Sequence, residues 1–304
     1  MLDADFNKLS PEMQDTYLKY CLRDNLDGLD TTKVILSKEN RDKIDQFIIE
    51  TKYKDKFIKY GLGSINRIIN YGASGTGKTF LTKCLAGEFK YELLALDINN
   101  ALDTGMAASA IERVFELGNH IGRCIIFLDE CDVIARNRSD KSTPLKAGTR
   151  EAINGIFQLL DRMNPQCIFV AATNLYEDLD PAFVRRFDLK LKFERPAIAN
   201  LQSIIEKFLL KDFHIKYDMN PEIKSIIENY AKGYTSLSYD EIENWVERSE
   251  KKAIIADTFD IKESDIYGYF MESLSIKISE DEEGKPYIYR DGGLGNGLEQ
   301  EVVL

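Results

Sequence analysis

The chain has 304 residues, enough for two domains at roughly 150 residues each. Hydrophobic residues make up 44% and charged residues 30%, a globular mix that excludes a mainly disordered chain. Forty Lys and Arg against fifty-one Asp and Glu leave a net charge of −11, which counts against a general nucleic-acid binder with its basic footprint.

No apolar run approaches the roughly 18 residues of a membrane helix, so no membrane partner is expected. The acidic, polar start MLDADFNKLS predicts neither a signal nor a transit peptide. Five widely spaced cysteines, an odd number, point to a reducing, cytoplasmic setting rather than a disulfide framework.

In chain order, residues 1–36 read as a short helical extension. Ser10 caps a helix, Pro11 suits its first position, and Met13, Tyr17 and Tyr20 share a face. A second helix is expected from near Ser37 to about Tyr60, with Ile44, Phe47, Ile48 and Phe57 on its apolar side. From Arg67 to Glu194 short apolar runs alternate with amphipathic stretches. The runs are Ile68–Tyr71, Leu93–Leu96, Cys124–Leu128, Cys167–Ala172 and the alternating Leu189, Leu191 and Phe193. Apolar strands separated by helices predict an α/β fold, a five-stranded parallel sheet covered on both faces, over residues 37–196.

Pro196 ends the last strand, and residues 197–275 read as a small all-α domain. Ser238 and Glu241 form a capping box ahead of Ile242, Trp245 and Val246. Residues 276–304, with acidic Glu280–Glu283 and glycine-rich Gly292–Gly297, suggest a flexible tail, in which Tyr287–Tyr289 offers one short strand.

The segment Gly72, Ala73, Ser74, Gly75, Thr76, Gly77, Lys78, Thr79 matches a phosphate-binding loop and stands where one must, between a strand and a helix. Glycines let backbone N–H groups close around phosphates, and the helix start adds its positive dipole end. Lys78 is expected on the β- and γ-phosphates and the Thr79 hydroxyl on Mg²⁺, with Phe80 completing the nucleotide-binding stretch. Cys124–Leu128 then leads into Asp129 and Glu130, two carboxylates at the carboxyl edge of the sheet, where ligands bind in this fold class. Asp129 is assigned to the metal and Glu130 to the attacking water. Asn174 ends the next strand. Arg185 and Arg186 precede the last one, where the bland alternative is a surface ion pair with Asp188.

In this order the motifs resemble those of the AAA+ superfamily, in its classical AAA branch, over roughly residues 36–274. GASGTGKT corresponds to Walker A, CIIFLDE to Walker B, Asn174 to sensor 1 and TNLYEDLDPAFVRRFD to the second region of homology. The resemblance implies an αβα ATPase core with a helical lid, ATP and Mg²⁺ as ligands, and a homo-oligomeric ring, usually a hexamer. It also implies that Arg185 and Arg186 act in trans on ATP held by the neighbouring subunit, with the choice between them open.

Three departures stand out. Ala73 and Ser74 replace the prolines of many relatives, and the segment Gly233–Asp240 carries no sensor 2 arginine. The stretch Asn99–Met106, which matches the loop that grips polypeptide in threading relatives, has no aromatic residue, leaving Leu102 and Met106 for peptide contact. His120 and His214 lack ligand spacing, and Cys124, Cys131 and Cys167 read as small apolar filler. Residues 135–150 form a polar, basic loop. The leading expectation is a ring ATPase that remodels a protein client or serves a companion effector such as a protease. The alternative is a nucleic-acid-associated ATPase, which the net charge disfavours.

Overall fold

Two of the apolar runs, Cys124–Leu128 (β3) and Ile168–Thr173 (β4), are buried at every residue. Only the middle of a sheet covered on both faces allows that. With Arg67–Gly72 as β1, Glu92–Leu96 as β2 and Leu189–Phe193 as β5, they form a parallel sheet ordered β2-β3-β4-β1-β5. The computed structural model describes residues 6–22, 26–136, 149–232, 237–280 and 285–290. Within it the sheet belongs to the first of two units, Met1–Glu194 and Arg195–Leu304. Most of the basic loop and the glycine-rich end lie outside the described residues.

Successive strand residues point to opposite faces, and two cores result. On one face Ile69, Leu94, Ile126 and Phe169 meet Ile111, Val114 and Phe115 of Ala107–Ile121 and Ile153 and Ile156 of Thr149–Arg162. On the other, Ile68, Ile125, Val170 and Leu191 meet Ile44, Phe47 and Ile48 of Lys38–Lys52 and Leu81 and Leu85 of Lys78–Phe89. In chain order the helices of this unit are Pro11–Tyr20 (α1), Lys38–Lys52 (α2), Lys54–Lys59 (α3), Lys78–Phe89 (α4), Ile98–Asp103 (α5), Ala107–Ile121 (α6), Asp132–Ala135 (α7), Thr149–Arg162 (α8) and Pro181–Val184 (α9).

Both edges of the sheet are guarded. β5 alternates buried Leu189, Leu191 and Phe193 with exposed Lys190 and Lys192, charges that discourage further strand pairing. Beside β2, the chain after α1 runs antiparallel: the Leu22 N–H donates to the Leu93 carbonyl at 2.8 Å, and Cys21 bridges Leu94. The Tyr17 hydroxyl donates to Glu92 Oε2 at 2.9 Å. The N-terminal helix is therefore built into this unit. Its start follows the sequence reading, since the Ser10 hydroxyl accepts the Met13 N–H at 3.3 Å with Pro11 at the first position.

The helix expected from Ser37 to Tyr60 is two helices. Ser37 caps α2 as anticipated, but α2 ends at Lys52, and α3 begins at Lys54. The residue that turns inward in α3 is Lys54, at 1% exposure, while Phe57 stays half-buried.

In the second unit, helices Leu201–Phe208 (α10), Pro221–Lys232 (α11), Tyr239–Ile255 (α12) and Glu263–Leu274 (α13) predominate. Trp245 stacks on Phe270 with centroids 5.0 Å apart. The capping box forms in both directions, Glu241 N–H to Ser238 Oγ at 3.2 Å and Ser238 N–H to Glu241 Oε2 at 2.8 Å. One addition escapes the periodicity, and a second extends the short strand expected at Tyr287–Tyr289. His214–Lys216 (β6) pairs in parallel with Asp260–Lys262 (β7), strands too short to show a pattern. Ile276–Glu280 (β8) and Pro286–Arg290 (β9) pair antiparallel, so this part of the expected tail is a hairpin, with Ile276 and Ile288 buried.

Burial lowers the Lys54 amine from 10.5 to about 8. Between those values the unfolded chain binds a proton that the folded chain has released, so stability rises with pH across this window, and at pH 7 the cost of burying the ammonium is complete. Lys54→Met should therefore raise unfolding free energy at pH 7 by on the order of 3 kcal/mol at most. Its advantage should shrink from about pH 8 towards 10.5; denaturant titrations giving parallel pH profiles for the two proteins would contradict this assignment.

Candidate active site

β1 ends in a close approach. A Cβ on Gly72 would lie 2.0 Å from the Phe193 carbonyl oxygen of β5, so glycine is required, and its φ of 142° begins the turn. Gly75 at φ 68° and Gly77 at φ 93° continue it into the left-handed region that L side chains avoid. The turn hands over to α4, whose first residue is Lys78. Buried Asn70 of β1 donates from Nδ2 to the Lys78 carbonyl at 3.2 Å, tying the end of the loop to the strand that begins it.

Inside the loop, Thr76 Oγ1 donates to the Ala73 carbonyl at 2.8 Å. Lys78 Nζ folds back over the loop, donating to the carbonyls of Gly72 at 3.0 Å and Ala73 at 2.6 Å. Ser74 and Phe80 are exposed. A cationic side chain over a glycine turn at the start of a twelve-residue helix is a cradle for polyphosphate.

The acidic pair sits beside it. β3 and β4 register Leu128 against Ala171, so Asp129 and Glu130 leave the sheet at the level of Ala172 and Thr173. Thr79 Oγ1 donates to Asp129 Oδ2 at 2.9 Å. A hydroxyl and a carboxylate in contact at a helix start are the oxygen donors a Mg²⁺ ion takes beside phosphates, so the residues present fit the metal. Glu130 is itself in the left-handed region, at φ 50°, with its N–H on Asp129 Oδ1 at 3.0 Å. Such backbone costs of order 1–3 kcal/mol and collects at functional sites.

One partner of Glu130 is invisible in the sequence. Asn99, in the first turn of α5, donates from Nδ2 to Glu130 Oε2 at 2.6 Å. Asp97 caps that helix through the Asn100 N–H at 3.0 Å, which fixes where Asn99 lies. Nothing local joins two residues thirty-one apart; only the pairing of β2 with β3 brings them together.

Asn174 follows β4 and is exposed, one residue past the level at which Thr173 pairs with Tyr71 of β1. The turn at Asn174 is held from both sides. Thr173 Oγ1 donates to Asp132 Oδ1 at 2.6 Å and accepts the Leu175 N–H at 2.9 Å. Tyr176 stacks on Tyr71 with centroids 3.9 Å apart.

The two arginines part company. The Arg186 guanidinium lies over the Phe157 ring at 3.8 Å and donates to the Ala182 carbonyl at 2.8 Å. Arg185 is exposed, and like the half-buried Arg186 it makes no ion pair with Asp188 among the described residues. The Asp188 carboxylate instead accepts the N–H groups of Asn66 and Arg67, both at 3.1 Å. Both arginines precede β5, whose register runs from Ile68 opposite Leu189 to Gly72 opposite Phe193. Four residue rises of about 3.3 Å put Leu189, where β5 begins, about 13 Å from the phosphate-loop end of the sheet, and the arginines lead into that far end. Of the two residues expected to contact peptide after β2, Leu102 is buried in the core and Met106 is 47% exposed.

Residues 68–195 match the model of the ATPase family associated with various cellular activities, AAA. The ATP-dependent zinc metalloprotease FtsH of Neorickettsia risticii (strain Illinois) is 32% identical over 262 residues, 81% of this chain and 39% of that protein. The ATP-dependent zinc metalloprotease YME1L1 of Homo sapiens is 29% identical over 226 residues, 72% of this chain and 28% of its own length. An uncharacterized AAA family ATPase, y4kL of Sinorhizobium fredii, is 29% identical over 235 residues, 76% of this chain and 67% of that protein. The chain thus spans less than half of the metalloproteases it matches. With a phosphate loop and an acidic strand end set side by side on a parallel sheet, and with these relatives, the chain belongs to the AAA+ ATPases.

Proposed function

We propose that the chain hydrolyses ATP in a ring of identical subunits, six by family resemblance, and couples turnover to remodelling of a protein client or companion. The observation that carries this reading is that Arg185 and Arg186 lead into β5, whose start is registered against the start of β1 and away from the phosphate loop. That placement favours a neighbouring subunit as the source of arginine charge on the γ-phosphate. Lys78 and the loop N–H groups would hold the phosphates, and Thr79 and Asp129 the metal. Bound Mg²⁺ would neutralise phosphate charge as it develops. Glu130 would orient the attacking water, with Asn99 restraining its carboxylate and Asn174 alongside.

Arg185 is the better candidate to reach across, because Arg186 is engaged with Phe157 and Ala182 of its own chain. The metalloprotease activity named for the relatives is not assigned to these 304 residues. A zinc-protease helix needs two histidines four residues apart, whereas the histidines here are His120 and His214. A companion protease or a client enzyme is the partner this reading expects, and Met106 without an aromatic neighbour implies a weak grip on peptide.

Thr79→Ala should bind ATP no better with Mg²⁺ than with a chelator present; calorimetry showing the parental gain from Mg²⁺ would remove Thr79 from the metal site. Glu130→Gln should keep ATP affinity while turnover falls at least about a hundredfold. Parental turnover in that variant would refute its role. Arg185→Ala should lose about 10³-fold or more in turnover without losing thermal stability, and mixing it with Lys78→Ala subunits should restore part of the rate. Mixed rings, verified by sedimentation, that stay inactive would refute action in trans. Stimulation by DNA rather than by any protein would favour the nucleic-acid reading instead.

A further inference from the structure

Cys124 is the first residue of β3, and Cys167 immediately precedes β4. Because β3 and β4 register Ile125 against Ile168, the two cysteines face each other across adjacent parallel strands. Their sulfurs are 3.7 Å apart, with the Cys124 thiol donating to Cys167. Neighbouring strands run about 4.8 Å apart, inside the span of about 4.4–6.8 Å between Cα atoms that a disulfide bridges. Gly118 makes the room: a Cβ there would lie 3.3 Å from Cys124 Sγ.

Lys54 is the second, independent observation. Its side chain is 1% exposed, yet its hydrogen bond runs to the Cys167 carbonyl at 3.3 Å rather than to a carboxylate. An ammonium buried beside two thiols calls for an anion, and a thiolate is the anion these neighbours can supply. The hydrogen bond from Cys124, and then the Lys54 charge, hold the Cys167 thiol below its ordinary pKa against burial. Burial instead pushes the Cys84 thiol up to about 12, and the Cys131 thiol also upward. In the reduced pair the Cys167 thiol donates to the carbonyls of Gly118 at 3.2 Å and of Gly122 at 3.0 Å; Gly122 is half-buried and just past the end of α6, so the pair sits beneath a surface turn.

We propose that Cys124 and Cys167, with Lys54, form a redox-active dithiol that closes to an intramolecular disulfide when a peroxide reaches it. The Cys167 thiolate attacks one peroxide oxygen; the S–O bond forms, the O–O bond breaks, and the departing hydroxide takes a proton to leave as water. Cys124 sulfur then attacks the sulfenic sulfur. The S–S bond forms, the S–O bond breaks, and the hydroxide leaves as water with the Cys124 proton. Two electrons pass from the thiols to the peroxide.

The test uses the full chain, reduced, freed of reductant and treated with hydrogen peroxide, then denatured, alkylated and mapped by peptide mass spectrometry. A peptide pair joined through Cys124 and Cys167, lighter by two hydrogen atoms and separated by dithiothreitol, is expected, with Cys21, Cys84 and Cys131 alkylated. Cys124→Ser should give no joined pair. Lys54→Met should slow closure several-fold, because it removes the cation that favours the Cys167 thiolate. Alkylation of all five cysteines in the treated parent would overturn the proposal, and so would closure in folded Lys54→Met at the parental rate. Should Lys54→Met not fold, the map of the parent alone decides.

Discussion

The contact between Gly72 and the Phe193 carbonyl governs the site. β1 can lie against β5 to its last residue only because Gly72 has no side chain, and the chain must turn there. The same residue's carbonyl then receives the Lys78 ammonium, so one glycine sets both the start of the loop and the resting place of its cation. Asn70 fixes the other end. A loop tied at both ends loses little conformational freedom when it takes up a ligand, which is the basis of preorganised binding.

The parallel sheet distributes the chemistry. Every strand points the same way, so every strand's exit collects at one edge. Thr79, Asp129, Glu130 and Asn174 stand at that edge because β1, β3 and β4 end there. The residues that enter strands collect at the other edge, where Arg185, Arg186, Asp188 and the Cys124–Cys167 pair are found. Strand length thereby separates the phosphate chemistry from the end of the sheet at which β5 begins.

The strands and the phosphate loop are legible in the sequence because their signals are local. Continuous apolar runs mark strands buried on both faces, and glycine spacing marks a turn that only glycine makes. What stays hidden depends on tertiary pairing. Asn99 meets Glu130 only through β2 and β3. Lys54 reads as part of a charged helix face until the break at Tyr53 turns it inward. Leu102 reads as available for peptide contact but packs into the core. β6 and β7 offer one central isoleucine each, Ile215 and Ile261, too little for any period to show.

The match to the family model begins at residue 68, yet folding reaches back much further. Tyr17 and Leu22 hold β2 through Glu92 and Leu93, and Ile44 and Phe47 fill the opposite core. A fragment cut at the limits of the family match would bare the backbone of an edge strand and open one face of the sheet. Such a fragment should precipitate on expression, because an uncovered edge strand recruits other copies of itself. The smallest soluble piece of the molecule is thus set by its N-terminal helix and not by its motifs.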